Sequence, residues 1–238
     1  VTKLCIEMLK RLFGITRLSL ILIVVPLLLI ATNVLSVVTF PYLYSYGFEK
    51  YDIVAYTGIE MEQLELAGQQ IRDYFSNDDE WITIRVERHG EIVPNLFNER
   101  EILHMKDVKH LLNKVKYVQQ ISFVLIVMGI LLGFLTRDQG HLARSVRYIC
   151  RGGGLTLFMT VLVGILMVVG FQRIFILFHL VSFDNDLWIL DPRRDFLIMM
   201  FPTGFFFDAT MLIALMTVVE GIVLWLVAPR ILRKFFNI

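Results

Sequence analysis

Apolar and polar positions fall into long alternating blocks along this chain. Four apolar runs stand out: Leu18–Val38, roughly Val118–Leu135, Leu155–Phe171 and Ala209–Val227. A helix rises 1.5 Å per residue, so about 20 apolar residues cross the ~30 Å hydrocarbon layer of a bilayer. Each run therefore predicts a membrane-crossing helix. The first is too long for a cleaved signal peptide, and Ala31-Thr32-Asn33 is a poor small-x-small cleavage site, so it reads as a retained anchor. Pro26 is placed to kink it and Pro41 to end it.

The polar blocks predict their own elements. Between about Pro41 and Tyr117 the chain is too long for a simple connection and predicts a small cap. Thr57-Gly58-Ile59-Glu60 has the spacing of a capping box, followed by Met61, Leu64, Ala67, Ile71 and Phe75 on one helical face. Trp81–Glu87 alternates, with Ile82, Ile84 and Val86 on one side, and predicts a strand. His89-Gly90 then reads as a turn and Ile92-Val93 as the start of the return strand. Asn98 and Glu101 form a second helix-start signature. No Gly or Pro follows until Gly129, so one continuous helix is predicted from the cap into the second span. The segment Gln172–Asp208 is rich in Phe and holds the polar cluster Asp184-Asn185-Asp186 and Asp191–Asp195. Pro192, Pro202 and Gly204 are expected to break it into short pieces. Its aromatics fit either an interface belt or a segment dipping into the bilayer.

Charge adds orientation to this picture. The 238 residues are 56% hydrophobic and only 19% charged, an excess that the four runs account for. Lys3, Lys10, Arg11 and Arg17 precede the first run. Arg137, Arg144, Arg147 and Arg151 lie between the second and third, and Arg230, Arg233 and Lys234 follow the fourth. These segments hold eleven of the 23 basic residues and, as acids, only Glu7, Asp138 and Glu220. Lys114, Lys116 and Arg173 argue weakly the other way. The bias predicts both ends on the cytoplasmic side. The fold class expected is a membrane all-α protein with four transmembrane helices, N-in and C-in, and a small mixed α/β extracellular cap between helices 1 and 2. Its segments are 1–40 (N-terminus and first span), 41–116 (cap), 117–171 (second and third spans with a basic loop), 172–208 (aromatic-rich outer segment) and 209–238 (fourth span and basic end). Both cysteines, Cys5 and Cys150, fall on the reducing side, so no structural disulfide is expected.

The spans carry almost no charge, unlike the cores of pumps and coupled carriers. Glu220 is the exception, expected at an inner interface or paired with Arg230 or Arg233. Candidate chemistry therefore moves to the outer segments. Glu101, His104 and Asp107 are spaced to line adjacent turns of one helix face, with Arg100 one turn before His104. A neighbouring carboxylate can orient an imidazole and raise its basicity, and Asp107 is expected to orient His104. The same spacing also suits an exposed charged face, and both readings stay open. His179 follows an aromatic run, Phe175 to Phe178, and fits either an interfacial histidine or a catalytic one. His89, His110 and His141 read as solvated. If the second and third spans are neighbours, their outer ends bring His104 and His179 together. Glu-x-x-His occurs once, at Glu101–His104, where a di-iron bundle needs two; neither a metal nor a cofactor is expected. There is no Gly-x-Ser-x-Gly elbow, and Ser182 reads as a cap or interface residue. Histidines, carboxylates and aromatics without a covalent nucleophile suit acid–base chemistry on a substrate that brings its own.

Two blocks carry a resemblance. One is Phe97-Asn98-Glu99-Arg100-Glu101 through His104-Met105 and Asp107-Val108. The other is Phe178-His179, Asp184-Asn185-Asp186, Trp188, Leu190-Asp191-Pro192, Met200-Phe201-Pro202 and Phe205-Phe206. With four spans and a cap, these resemble the bacterial lipoprotein intramolecular transacylase family (Lit). The resemblance implies a multi-pass plasma-membrane enzyme whose active site is on the outer face. Its substrate is a diacylglyceryl lipoprotein with a free N-terminal cysteine amine. The enzyme moves the sn-2 acyl chain to that amine, giving the lyso-form. The matching catalytic positions are His104 and His179, one taking a proton and the other returning one. Asp107, Arg100, Glu101, Asn185 and Trp188 are supporting positions. Lipoprotein and membrane lipids are the partners implied, with no nucleic acid. A bimolecular acyltransferase, a lipid hydrolase and a non-catalytic accessory protein remain alternatives.

Overall fold

A computed structural model describes the backbone of residues 2–135 and 139–231, without the side chains of 2–18, 133, 134 and 139–141. The basic positions Lys3, Lys10, Arg11, Arg17, Arg137, Arg233 and Lys234, the acids Glu7 and Asp138, and Cys5 and His141 lie outside those described. The chain is mostly helical. Its elements are α1 (Thr2–Val38), α2 (Pro41–Lys50), α3 (Ile53–Thr57), α4 (Met61–Ser76), β1 (Val86–Arg88), β2 (Glu91–Val93), α5 (Glu99–Leu135), α6 (Gln139–Ser182), α7 (Phe196–Met200) and α8 (Thr203–Ile222). A π-helical stretch, Val223–Val227, follows α8. Among the described residues four helical stretches are long and apolar enough to cross a membrane: Ser19–Val38, Glu99–Leu132, Leu142–Ser182 and Thr203–Ile231.

Two of these exceed what a bilayer needs. The 37 residues of α5 span about 55 Å, against a hydrocarbon core of ~30 Å, and the 44 of α6 comprise two helical pieces that meet at Gly170. Charge decides which part crosses. From Glu99 to Lys116, α5 carries an ionisable side chain on every turn, which hydrocarbon does not tolerate. The uncharged stretches Val118–Leu135 and Leu155–Phe171 are the parts whose composition suits crossing, and the helix beyond Arg173 lies outside them. Helix α6 loses helical geometry at Gly170 (φ −145°, ψ 36°). The basic segment expected as a loop is instead helical, since Arg144, Arg147 and Arg151 lie within α6. Nothing in that stretch breaks a helix except the run Gly152–Gly154, and there the glycines serve packing.

The chain folds as two compact units. One comprises 1–34, 116–165 and 213–238. Its core is Ile21 and Val25, packed by Leu29, Ile126, Tyr148, Ile149 and Leu224. A Cβ added at Gly153 would stand 2.5 Å from the Leu224 Cβ, so the absence of a side chain lets two helices approach closely. Asn33, 1% exposed, donates to Thr217 Oγ1 (2.9 Å) and to Glu220 Oε2 (2.8 Å). Asn33 is thus a partner of Glu220, and Arg233 of the expected pairing lies outside the described residues; a buried amide needs an acceptor and the carboxylate one turn beyond Thr217 supplies it.

The other unit comprises 35–115 and 166–212. Pro41 opens α2 as its first residue, as its fixed φ favours. The expected capping box at Thr57 does not form. Thr57 closes α3, donating to Ile53 O at 2.7 Å, because Gly58 adopts φ +67° and turns the chain. Helix α4 buries Leu64, Ala67, Gly68, Ile71 and Tyr74. Tyr74 takes the inward place expected of Phe75 because its hydroxyl reaches Glu80 O at 3.1 Å. Ile82, Ile84 and Val86 are buried as alternation requires, yet only Val86–Arg88 pairs, with Glu91–Val93. Ahead of it, the amide N–H of Arg85 goes to the Gln70 side chain at 2.9 Å and the Ile84 carbonyl accepts the Leu96 N–H at 2.8 Å, so the extended chain is held by α4 and by the returning chain without forming a regular ladder. His89 (φ 54°) and Gly90 (φ 80°) make the hairpin turn. Tyr44, Phe48, Phe201 and Phe205 form an aromatic core with ring centroids 5.0–6.5 Å apart. Phe201 and Phe205 are therefore core residues of this unit. Pro202 separates α7 from α8, but Gly204 lies inside α8 and does not break it; the ring of Tyr51 occupies the space a Cβ would need.

Candidate active site

The site grows from the start of α5. The Asn98 side chain accepts from the Glu101 N–H (3.2 Å), and Glu101 Oε2 accepts from the Asn98 N–H (2.8 Å). This reciprocal cap satisfies two donors that a helix start leaves open. Glu101 is fully buried, and its Oε1 accepts the Leu197 N–H at 2.6 Å. Burial pushes its carboxyl above the ordinary range, and the Leu197 and Asn98 N–H groups oppose that. Asp195, also fully buried, accepts from the Asn98 side chain (2.9 Å), the Asp191 N–H (2.7 Å) and Arg194 Nε (2.9 Å). These two carboxylates fix residues 191–197 to the first turn of α5. The sequence marked Glu101 as a supporting position; both of its oxygens are engaged by backbone N–H groups.

One turn along α5, His104 is 7% exposed, and His179 near the end of α6 is 8% exposed. Their ring centroids lie 6.2 Å apart. The two histidines chosen from sequence are therefore brought together. Aromatic rings enclose them. Phe183 meets His104 edge-on at 5.2 Å. His179 touches Phe175 at 4.4 Å, Phe178 at 5.3 Å and Trp188 at 4.9 Å. Phe175 and Phe183 were not singled out for the site by sequence. Their spacing of four residues on either side of His179 is the signal that identifies them.

The two imidazoles differ in their partners. His179 Nδ1 lies 2.7 Å from the Phe175 carbonyl oxygen. A carbonyl only accepts, so Nδ1 carries the proton and Nε2 of the neutral ring keeps its lone pair. His104 Nδ1 is buried without a partner. Burial, then the proximity of His179, lowers the His104 imidazole from its ordinary range to about 4; Asp107 opposes this and Arg100 adds to it. Burial also lowers His179, against the Phe175 carbonyl. Both rings are neutral near pH 7.

Asp107 does not hydrogen-bond His104. Its carboxylate accepts from Asn185 Nδ2 at 2.8 Å. Asn185 lies within reach because Arg100, one turn before His104, holds the Asp186 main-chain carbonyl and lies 3.4 Å from its carboxylate. The Asn185 main-chain carbonyl accepts Trp188 Nε1 at 3.1 Å. A cleft of about 590 Å3 opens beside Arg100, Glu99, Arg194 and Phe196; neither histidine lines it. His89 and His110 are exposed. Among the described residues no three His, Cys, Asp or Glu side chains are grouped to hold a metal ion.

Comparison with known proteins bears on this arrangement. The model of the family described as lipoprotein intramolecular transacylase Lit matches residues 19–206. The structure of the membrane integral lipoprotein intramolecular transacylase Lit from Bacillus cereus is similar to this chain with a TM-score of 0.77 at 21% identity, covering 93% of this chain and 97% of that one. A variant of that protein with one histidine replaced by arginine gives 0.76 at 19% identity, covering 98% of each chain. An uncharacterized protein of Aquifex aeolicus (strain VF5) is 28% identical over 126 residues, 53% of each chain. The match spans about half the length of that curated relative.

Proposed function

The chain belongs to the lipoprotein intramolecular transacylase family, Lit, and we propose that it moves the sn-2 acyl chain of a diacylglyceryl lipoprotein to the α-amino group of the lipoprotein's own N-terminal cysteine. The observation that carries this reading is the buried pair His104 and His179, with the Nε2 lone pair of His179 set free by its Nδ1–H bond to Phe175. The pair faces a substrate that supplies both nucleophile and ester. The ring closed in the transition state contains the amine nitrogen, two cysteine carbons, sulfur, two glyceryl carbons, the ester oxygen and the carbonyl carbon. Medium rings form reluctantly, so holding the two ends together lowers an entropic barrier.

In this mechanism His179 Nε2 takes a proton from the cysteine amine as the N–C bond forms. The tetrahedral carbon then holds the attacking nitrogen and the sn-2 oxygen together. The protonated His179 gives its proton to the sn-2 oxygen as the C–O bond breaks, and no atom is gained or lost. His104, kept neutral by burial, is a poor cationic acid. Its N–H instead donates to the carbonyl oxygen as negative charge develops there, a contribution that grows in a site closed to water. The Lys and Arg bias supports a reading with N- and C-termini on the cytoplasmic side and this site on the outer face of the plasma membrane.

Tandem mass spectrometry of a lipoprotein's N-terminal peptide tests the reading, in a host lacking other N-acylation. An N-acyl-cysteine fragment at unchanged total mass is expected with the wild type. Replacing either histidine by Ala should lower turnover by about two to four orders of magnitude. A gain of one acyl mass would assign a bimolecular acyltransferase, and a loss a hydrolase. The cysteine amine attacks only as the free base, so kcat/KM should fall below the α-amino pKa of ~8 and steepen to a second proton only below the ordinary imidazole value of ~6.5, because burial lowers the pKa of the base. A profile that stays first-order in protons at every pH where the protein is folded would remove His179 as the base.

A further inference from the structure

Phe183 and Trp188 stand at the two ends of a short strap that covers the histidines: Phe183 packs on both His104 and His179, and Trp188 on His179. The strap is irregular and Asn185 is exposed, so little burial holds it in place. What holds it is α5. Arg100 and Asp107 flank His104, four residues before and three after. They grip adjacent residues of the strap, Asp186 and Asn185. Asn185 is doubly engaged within the strap as well: its Oδ1 accepts the Leu187 N–H at 3.1 Å, and its main-chain carbonyl accepts Trp188 Nε1. A path of direct contacts therefore runs from Asp107 through Asn185 to Trp188 and ends on the His179 ring.

We propose that Asp107 and Asn185 are positioning residues that act on His179: their hydrogen bond fixes the strap so that Trp188 lies on the imidazole and holds it in its working orientation. This rests on the transacylase reading for its activity arm alone. Asp107 matters here as a hydrogen-bond acceptor, so its charge is dispensable. That separates the proposal from one in which the Asp107 carboxylate tunes an imidazole electrostatically. An amide oxygen at position 107 still accepts from Asn185; a methyl group does not.

The test has two independent readouts. The first is acrylamide quenching of the Trp188 fluorescence, taken as the difference between each protein and its Trp188→Phe counterpart. The second is kcat on a diacylglyceryl lipopeptide. Asp107→Ala is expected to make Trp188 more accessible to quencher and to lower kcat about tenfold, the scale of one lost hydrogen bond to a charged group. Asp107→Asn should stay within about twofold of wild type in both, on the same scale. Asn185→Asp sets two carboxylates against each other and should behave like Asp107→Ala. Combining Asp107→Asn with Asn185→Asp restores a donor–acceptor pair and should recover both readouts. The proposal is overturned if Asp107→Asn is as damaging as Asp107→Ala, if the paired exchange recovers nothing, or if Trp188 is equally protected in Asp107→Ala. Should the wild type lack transacylase activity, the transacylase reading fails, while the fluorescence arm still decides whether this bond places Trp188.

Discussion

The two units are held together by different contacts. In the unit holding 116–165, Ile121, Val124, Leu131, Phe158 and Ile165 are exposed on the chain's own surface. Among the described residues its helices meet at glycines, and the polar bonds between them include Asn33 with Thr217 and Glu220, Gln119 with Thr32, and Ser145 with the Gly129 carbonyl. In the unit holding 35–115, the interior combines stacked aromatics with fully buried carboxylates, Glu101 and Asp195, whose oxygens are held by backbone N–H and side-chain donors. The difference matches the one expected between lipid and water as solvents. Lipid gives apolar side chains no reason to withdraw, so close packing and isolated hydrogen bonds bring helices together. Where water is the solvent, hydrophobic burial drives folding, and a buried polar group costs free energy unless its bonds are complete.

That contrast can be tested by removing one contact of each kind, measured by thermal unfolding in detergent. The largest loss is expected for Glu101→Ala. It strands the buried N–H of Leu197 and opens the cap of α5, for about 3 kcal/mol. A smaller loss, about 2 kcal/mol, is expected for Gly153→Val, which forces apart helices whose contact leaves no space for a Cβ. The smallest is expected for Asn33→Leu, about 1 kcal/mol, since interhelical hydrogen bonds in lipid are worth little net. If Asn33→Leu destabilises more than Glu101→Ala, the division between the two units is wrong.

Much of this was legible in the sequence where one physical signal dominates. Charge-free length announces the crossing helices, and a reciprocal Asn98 and Glu101 announces the start of α5. Ile82, Ile84 and Val86 betray their inward side by alternation, although only Val86 belongs to a paired strand. Legibility failed where two local solutions compete. Thr57 can cap the helix that follows or close the one before, and the φ of Gly58 decides. Asp107 can serve His104, its helical neighbour, or Asn185, 78 residues away; helical periodicity sees only the first. The same limit applies to Glu220, whose partner Asn33 is 187 residues distant. His104 and His179 were found by residue type and by resemblance. Their burial, their 6.2 Å separation and the fixed tautomer of His179 required the coordinates.

The central claim is that the acyl group never leaves its own substrate molecule. A crossover experiment tests this most directly. Two diacylglyceryl lipopeptides, one with an isotope-labelled sn-2 chain and one with a labelled peptide, are mixed with the purified protein. Intramolecular transfer predicts products in which each peptide carries only its own sn-2 chain on nitrogen. Products joining the labelled chain to the labelled peptide would contradict the account and assign a bimolecular acyltransferase.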